Sequence, residues 1–326
     1  MTSEPLSCLV ISDGRRGIEN QALGLAEALA RIRPADITPV TIDNGTAFKA
    51  ASPTLQFALK SKPSDYGLSG SPPDLAIGCG RQAIAPLLAL KKSAPDCFTA
   101  YIQDPRIDPS RFDLVIAPEH DNLTGPNVET MIGSPNRIIK AEIAGRTIKF
   151  SDQLDTLPMP RAALLIGGDS KTHKLTPEIH SEHMTTAKAL LAKDLSLLIS
   201  TSRRTPEFAQ KEWEALAQDH KNIWLYDGSE RNPYISFLGG AEFIFVTEDS
   251  TNMLTEAAST GKTVFRLPMQ GKAGKFQTLY DRLHERCNIG PFTGELIPHE
   301  YEPLAETARI AEKLWVHYDA RNAVMN

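Results

Sequence analysis

Residues 248–256, Glu-Asp-Ser-Thr-Asn-Met-Leu-Thr-Glu, join a hydroxyl-rich turn to a carboxylate just over one helical turn further on. Ser250 or Thr251 can cap a helix, since a side-chain oxygen there satisfies an orphan backbone N–H. The free N–H groups and dipole of such a helix start suit a phosphate. Glu256 lies too far along to meet that phosphate, but its carboxylate accepts two hydrogen bonds at once and could reach a pair of sugar hydroxyls beside it. The local pattern alone also allows a solvated Glu256 and a Ser250 that only caps.

Other loops carry a similar density of polar groups. Gly167-Gly168-Asp169-Ser170 would let backbone N–H groups approach a ligand, with Lys171 adding charge. Ser202-Arg203-Arg204 places two guanidinium groups among hydroxyls before a proline-started helix, a setting that suits a diphosphate. Towards the N-terminus, Asp13, Gly14, Arg15, Gly17, Asn20 and Gln21 read either as a plain strand-to-helix loop or as a binding loop. Arg106, His120 and Asp121 stand at two further strand ends. His120 has the intrinsic pKa of a general base, and Asp121 could orient it; Asp13 is the other acid–base candidate, and a satisfied strand-end histidine is the alternative.

These groups need a scaffold, and the apolar pattern supplies one. Short apolar runs at 6–12, 37–42, 74–80, 98–103, 113–117 and 128–132 alternate with helical stretches. After a proline-broken linker at 151–161, a second series runs 162–166, 195–199, 223–226, 243–246 and 263–267, with Gly261 as a left-handed helix stop. Strands alternating with helices predict parallel sheets with ligands at the carboxyl ends of the strands. Gly78, Gly80 and Ala83 match a dinucleotide-binding spacing, but after the third strand rather than the first, so close helix–strand packing is the expectation.

The chain has 326 residues, enough for two domains, and a net charge of −5, which argues against a general nucleic-acid binder. Cys8, Cys79, Cys97 and Cys287 have neither metal nor redox spacing. The N-terminus lacks the basic segment and apolar core of a signal peptide, and no run spans a bilayer, so the cytoplasm is the expected compartment. Residues 46–70 mix Phe48, Leu55, Phe57 and Leu59 with Lys49, Lys60 and Lys62; they read as a helix packed on its domain or as a patch making weak peripheral contact with the inner face of a membrane.

Ser250-Thr251-Asn252, Thr255-Glu256-Ala257, Gly261, Pro268 and Gln277 together resemble the donor site of GT-B glycosyltransferases, including the N-acetylglucosaminyltransferase of peptidoglycan precursor synthesis. The resemblance implies two Rossmann-like α/β domains with parallel sheets facing a cleft. It implies Glu256 on ribose, the 248–252 turn on the diphosphate and Gln277 on the donor sugar. Residues 13–29, 112–121, 167–170, 200–206 and 247–256 are together similar to the mitochondrial-fission "elongated mitochondria" family, whose plant members are linked to mitochondrial division.

The expected layout is an acceptor-side domain at 1–155, a nucleotide-sugar domain at 156–302, and, by resemblance, a helix at 303–326 crossing back to the first domain. The expected activity is metal-independent transfer of a sugar from a nucleoside diphosphate donor to an unknown acceptor, with a lipid-linked acceptor as one option, and with no cofactor beyond the nucleotide-sugar substrate. The alternative is a nucleotide-binding or protein-interaction scaffold on the same fold that turns nothing over.

Overall fold

Continuous apolar runs suit strands buried on both faces, and here they form two parallel sheets. The computed structural model describes residues 4–43, 48, 50–228 and 231–325. Tertiary contacts divide the chain into two units, Met1–Arg137 with Ala305–Asn326, and Ile138–Leu304.

The first unit opens with β1 (Leu6–Ser12), α1 (Arg16–Ile32) and β2 (Ala35–Thr41), then α2 (Pro53–Leu59), β3 (Leu75–Cys79), α3 (Arg81–Ser93), β4 (Phe98–Ile102), β5 (Leu114–Pro118) and β6 (Val128–Met131). The strands lie in the order β2-β1-β3-β4-β5-β6, all parallel. The order reverses between β1 and β3, so the carboxyl ends of those two strands flank the crevice where ligands of such sheets bind. Gly78 and Gly80 serve packing, as expected. A Cβ on Gly78 would run into Leu87 and Ala83, and Gly80 has a positive φ against Ile18.

The second unit contains α4 (Lys140–Ile148), α5 (Ser151–Leu154), β7 (Arg161–Ile166), β8 (His173–Lys174), α6 (Pro177–Leu191), β9 (Ser196–Thr201), α7 (Glu207–Asp219), β10 (Ile223–Tyr226), α8 (Tyr234–Gly240), β11 (Phe243–Thr247), α9 (Thr251–Ala258), β12 (Thr263–Leu267), β13 (Gln270–Gly271), α10 (Phe276–Cys287) and β14 (Gly290–Pro291). Its main sheet runs β10-β9-β7-β11-β12-β14, again parallel, and reverses between β7 and β11. The helix α9 ends earlier than the stop expected at Gly261: Ser259 caps it in a right-handed conformation, and Gly261, at φ 74 with Pro303 close by, turns the chain two residues later towards β12.

The chain then returns to the first unit. On α11 (Glu306–Met325), Ile310, Leu314 and Trp315 are buried with Leu25 and Leu29 of α1 and with strand residues Val10 and Ile77. Burying three large apolar side chains contributes on the order of 6 kcal/mol, so α11 is part of that core. The Trp315 indole donates to Leu29 O at 3.3 Å.

The expected domain boundary at 155 needs correction, because residues 138–155 pack within the second unit. Ser236 Oγ donates to Arg146 O at 2.9 Å, and Gly239 is bare enough for Thr147 and Ile143 to lie against its backbone. The stretch read as a linker is likewise fixed. Leu154 and Leu157 are buried, and their carbonyls accept from Arg161 at 2.8 and 3.0 Å. Its prolines interrupt regular structure without loosening the chain.

The segment around α2 divides its apolar residues. Gln56 is buried and donates to Phe48 O and Ala51 O, while Phe57 is half-buried beneath Lys92 and Arg111. Leu55 and Leu59, one turn apart, are 50% and 66% exposed. Lys49 lies outside the described residues. Among the described residues no helix is long and apolar enough to cross a membrane.

Candidate functional site

The loops after β7, β9 and β11 follow three adjacent strands and meet at the reversal point of the second sheet. Asp249 is their common partner. Its side chain is fully buried, Oδ2 accepts from Gly168 N at 3.1 Å, and Arg204 Nη2 pairs with the same oxygen at 2.6 Å. Arg204 also donates to the carbonyls of Gly168 and Asp169, both at 3.1 Å.

This arrangement corrects the reading of 167–170 as a phosphate cradle. Gly167 N donates to Thr247 Oγ1 at 2.8 Å, Gly168 N to Asp249, Asp169 N to Arg204 O at 3.1 Å and Ser170 N to His173 O at 2.8 Å. All four N–H groups are engaged within the protein, so none is left to meet a ligand. Two glycines are needed here because a Cβ on Gly167 would collide with the Asp249 carboxylate, and one on Gly168 with the Arg204 backbone. The Asp169 carboxylate accepts from Lys174 and Leu175 N, and the Ser170 hydroxyl accepts from His173 N.

Other donor candidates are also committed inside the fold. Ser202 Oγ accepts from Arg204 N at 3.1 Å, and Ser202 N donates to Thr205 Oγ1 at 2.9 Å. Glu248 accepts from Arg266 at 3.1 Å, and Arg266 lies over the Tyr280 ring. Gln277 is exposed and donates to Asp281 on its own helix at 2.7 Å, so its amide points along α10 rather than to the strand ends. Arg203 is different: it is exposed, and no hydrogen bond or ion pair of its side chain is found among the described residues.

The helix α9 begins at this reversal point. Ser250 caps it, accepting from Met253 N at 3.4 Å, so the capping reading of Ser250 holds; Thr251 and Asn252 form its first turn. Glu256 is partly buried on the same helix. Its Oε2 accepts from the Tyr234 hydroxyl at 2.6 Å, and burial raises its pKa to about 7 despite that bond. Sequence reasoning missed Tyr234, because it comes from α8, 22 positions upstream. It also missed His183, which is buried with its Nε2 2.8 Å from Pro268 O and its pKa lowered by burial to about 4. The helical pattern of α6 gave no sign of a polar group facing inwards.

In the first unit the reversal point carries Asp13 and the start of α1. Arg15 pairs with Asp13 at 2.7 Å, and its N–H donates to the same carboxylate at 3.2 Å. Gly14 takes φ 74 close to Thr41. Gly17 and the half-buried Asn20 lie in α1, and Gln21 is buried, accepting from Cys79 Sγ and Gln103 Nε2, both at 3.3 Å. The β4 end repeats the local pattern, with Arg106 paired to Asp104 at 3.0 Å.

The two alternatives for the acid–base group, Asp13 and His120 with Asp121, lie apart. Asp13 follows β1 and His120 follows β5, three strand spacings away, or about 14 Å across the sheet. His120 is 6% exposed in a tight turn, and its Nε2 stands 3.9 Å from Asp121 Oδ1, too far for a hydrogen bond between those atoms.

Two parallel α/β units of this kind define the GT-B fold, and solved structures with that fold are similar across nearly the whole chain. The UDP-GlcNAc 2-epimerase of Methanocaldococcus jannaschii matches with a TM-score of 0.60 at 12% identity, covering 96% of this chain and 99% of the other. The E. coli ADP-heptose LPS heptosyltransferase II matches at 0.51 and 13%, covering 97% and 100%.

The chain belongs to the mitochondrial fission ELM1 family, whose model matches residues 16–318. It is 26% identical to the mitochondrial fission protein ELM1 of Arabidopsis thaliana over 269 residues, 74% of this chain and 63% of that protein's length. It is equally 26% identical to an uncharacterised protein of Rickettsia prowazekii over 348 residues, 93% of this chain and 96% of the relative.

Proposed function

We propose that the protein binds a nucleoside diphosphate-sugar at the reversal point of its second sheet and transfers the sugar to an acceptor held by the first unit. The observation that carries this reading is α9, a helix starting at that point with a partly exposed carboxylate, Glu256, about 7 Å along its axis from Thr251. The helix N-terminus and Arg203 would meet the diphosphate, and Glu256 the ribose. The UDP-GlcNAc 2-epimerase of Neisseria meningitidis, of similar fold at a TM-score of 0.54, was solved bound to UDP-GlcNAc, which makes UDP- and ADP-sugars the first ligands to try.

A thermal-shift series against nucleoside diphosphate-sugars tests it. A ligand at 100 times its Kd stabilises the folded state by about 2.7 kcal/mol, a rise of several degrees. Wild type should show that rise and Glu256→Ala should not. No response to any such ligand at millimolar concentration would sink the reading.

One observation favours a second reading, binding without turnover: His120, the candidate with the intrinsic pKa of a general base, is buried. Under transfer, Asp13→Asn should abolish donor turnover while leaving donor binding intact. Under the scaffold reading wild type itself would show no turnover. The α2 face would add weak contact with an anionic membrane, through the exposed Leu55 and Leu59 with Lys60 and Lys62 next in the chain; sedimentation with phosphatidylglycerol vesicles, lost in Leu59→Glu, checks that contact.

A further inference from the structure

We propose that Tyr234 is a positioning residue for ribose recognition: its hydroxyl holds one oxygen of the Glu256 carboxylate and turns the other towards the 2′ and 3′ hydroxyls of the nucleotide. The inference rests on the donor-site reading above and assigns a part in it to a residue outside the strand-end loops.

Three carboxylates lie along this edge of the second unit, and they are held differently. Asp249 is paired with Arg204, and Glu248 with Arg266. Glu256 has no Lys or Arg partner among the described residues; its one hydrogen bond comes from a phenol. A cation would neutralise the group and hold it by charge. A hydroxyl contributes a single directed donor, and at 2.6 Å it is in the range of strong O–H···O⁻ bonds. That bond fixes Oε2. Among the described residues nothing donates to Oε1, and it is not sealed from solvent, so it keeps its accepting capacity for a ligand donor.

Tyr234 itself is well anchored. It is the first residue of α8, where Phe237 N donates to Pro233 O at 2.9 Å, and the next turns are held by Ser236 on Arg146 O and by Phe237 against Trp224. Lys262 closes the other end of α8, donating to Gly239 O and Ala241 O, both at 2.6 Å. The phenol therefore approaches Glu256 from a braced helix of its own, which is what orientation of a flexible carboxylate requires.

The test is discrimination between a ribonucleoside diphosphate-sugar and its 2′-deoxy analogue, with UDP-glucose and 2′-deoxy-UDP-glucose as probes and calorimetry as the readout. At pH 8, where the Glu256 carboxyl is ionised, wild type should prefer the ribose form about tenfold, as expected for one hydrogen bond to a charged group. Tyr234→Phe should weaken the ribose ligand about tenfold, leave the deoxy ligand nearly unchanged and so erase the preference. Glu256→Asp, which withdraws the carboxylate from the phenol, should do the same and serves if Tyr234→Phe does not fold. A preference retained in a folded Tyr234→Phe, an equal loss for both ligands, or a wild type that binds both alike would overturn the role of Tyr234. A wild type that binds neither these probes nor any other nucleotide-sugar would remove the donor-site reading first.

Discussion

The two reversal points are built differently. In the first unit, Asp13 with Arg15 at the reversal point, and Asp104 with Arg106 at the end of the neighbouring β4, are ion pairs two residues apart, each made within a single loop. In the second unit, Asp249 joins three loops, through Gly168 at a sequence separation of 81 and Arg204 at 45. Local pairs let each loop of the first unit adjust by itself. The shared carboxylate makes the second site a single piece, fixed before any ligand arrives, at the cost of burying a charge that stays tolerable only while it is paired.

The sharpest way to break the contrast is to remove one partner from each. Asp249→Ala should lower stability by about 3 to 5 kcal/mol, because it leaves Arg204 and Gly168 N without their acceptor. Asp13→Ala, whose partner Arg15 is mostly exposed, should cost below about 1 kcal/mol. Denaturant midpoints at constant m-value give both numbers. Equal losses would mean that the second site is no more tightly built than the first.

Proton linkage separates the units in a second way. Unfolded, a Glu256 carboxyl loses its proton near 4.5, while the folded protein keeps it to about 7. Between those values the folded state holds more protons, so raising the pH through the window costs stability, up to about 3 kcal/mol. His183 acts in the opposite sense. It remains neutral in the fold down to about 4 and would take up a proton near 6.5 once unfolded, so its contribution is lost as pH falls through that range. In Glu256→Gln the first contribution disappears, and the stability gap between variant and wild type should widen from pH 5 to pH 8 in favour of the variant. In the first unit, burial pushes the Cys79 and Tyr101 groups upwards, away from this range, so neither adds a slope there. A gap that stays constant with pH would show that Glu256 ionises normally.

Much of the fold was legible. The runs at 6–12, 223–226 and 263–267 match β1, β10 and β12 end for end, because short runs rich in apolar and β-branched residues between polar loops mark strands, at the sheet edge as well as in its centre. The short β14 left no such run and went unread. The site was legible only as a set of loops. Sequence shows that Gly167, Ser202, Arg204 and Asp249 are polar or small and sit at strand ends; it does not show that they are satisfied within the fold, since Gly167, Arg204 and Asp249 find partners dozens of residues away and Ser202 finds its own only through the way its turn closes. Each was therefore assigned outward to a ligand. Arg203 and Arg204 are adjacent and alike in type, yet one is built into the fold and the other faces solvent. The boundary at 155 failed for a related reason: prolines mark a break in regular structure, whereas the contact that places residues 138–155 in the second unit is a bare glycine face on α8.

The smallest expected effect sharpens that last distinction. Arg203→Ala should change stability by no more than about 0.5 kcal/mol, as for any unpaired surface side chain. It should nevertheless weaken binding of a nucleotide-sugar, whereas Arg204→Lys should lower the melting temperature first. A melting temperature that falls as far for Arg203→Ala as for Arg204→Lys would undo the division of labour between them.

The placement of α11 in the first core has a consequence for biosynthesis. Residues 138–304 emerge from the ribosome as one uninterrupted stretch carrying every strand of their own sheet, and can close on themselves at once. The earlier half of the polypeptide must wait, its α1 face uncovered, until Ile310, Leu314 and Trp315 have been made. Synthesis thus delivers all of the second unit's core before the last part of the first unit's, and the α1 face covered by these three side chains is open to solvent until they arrive.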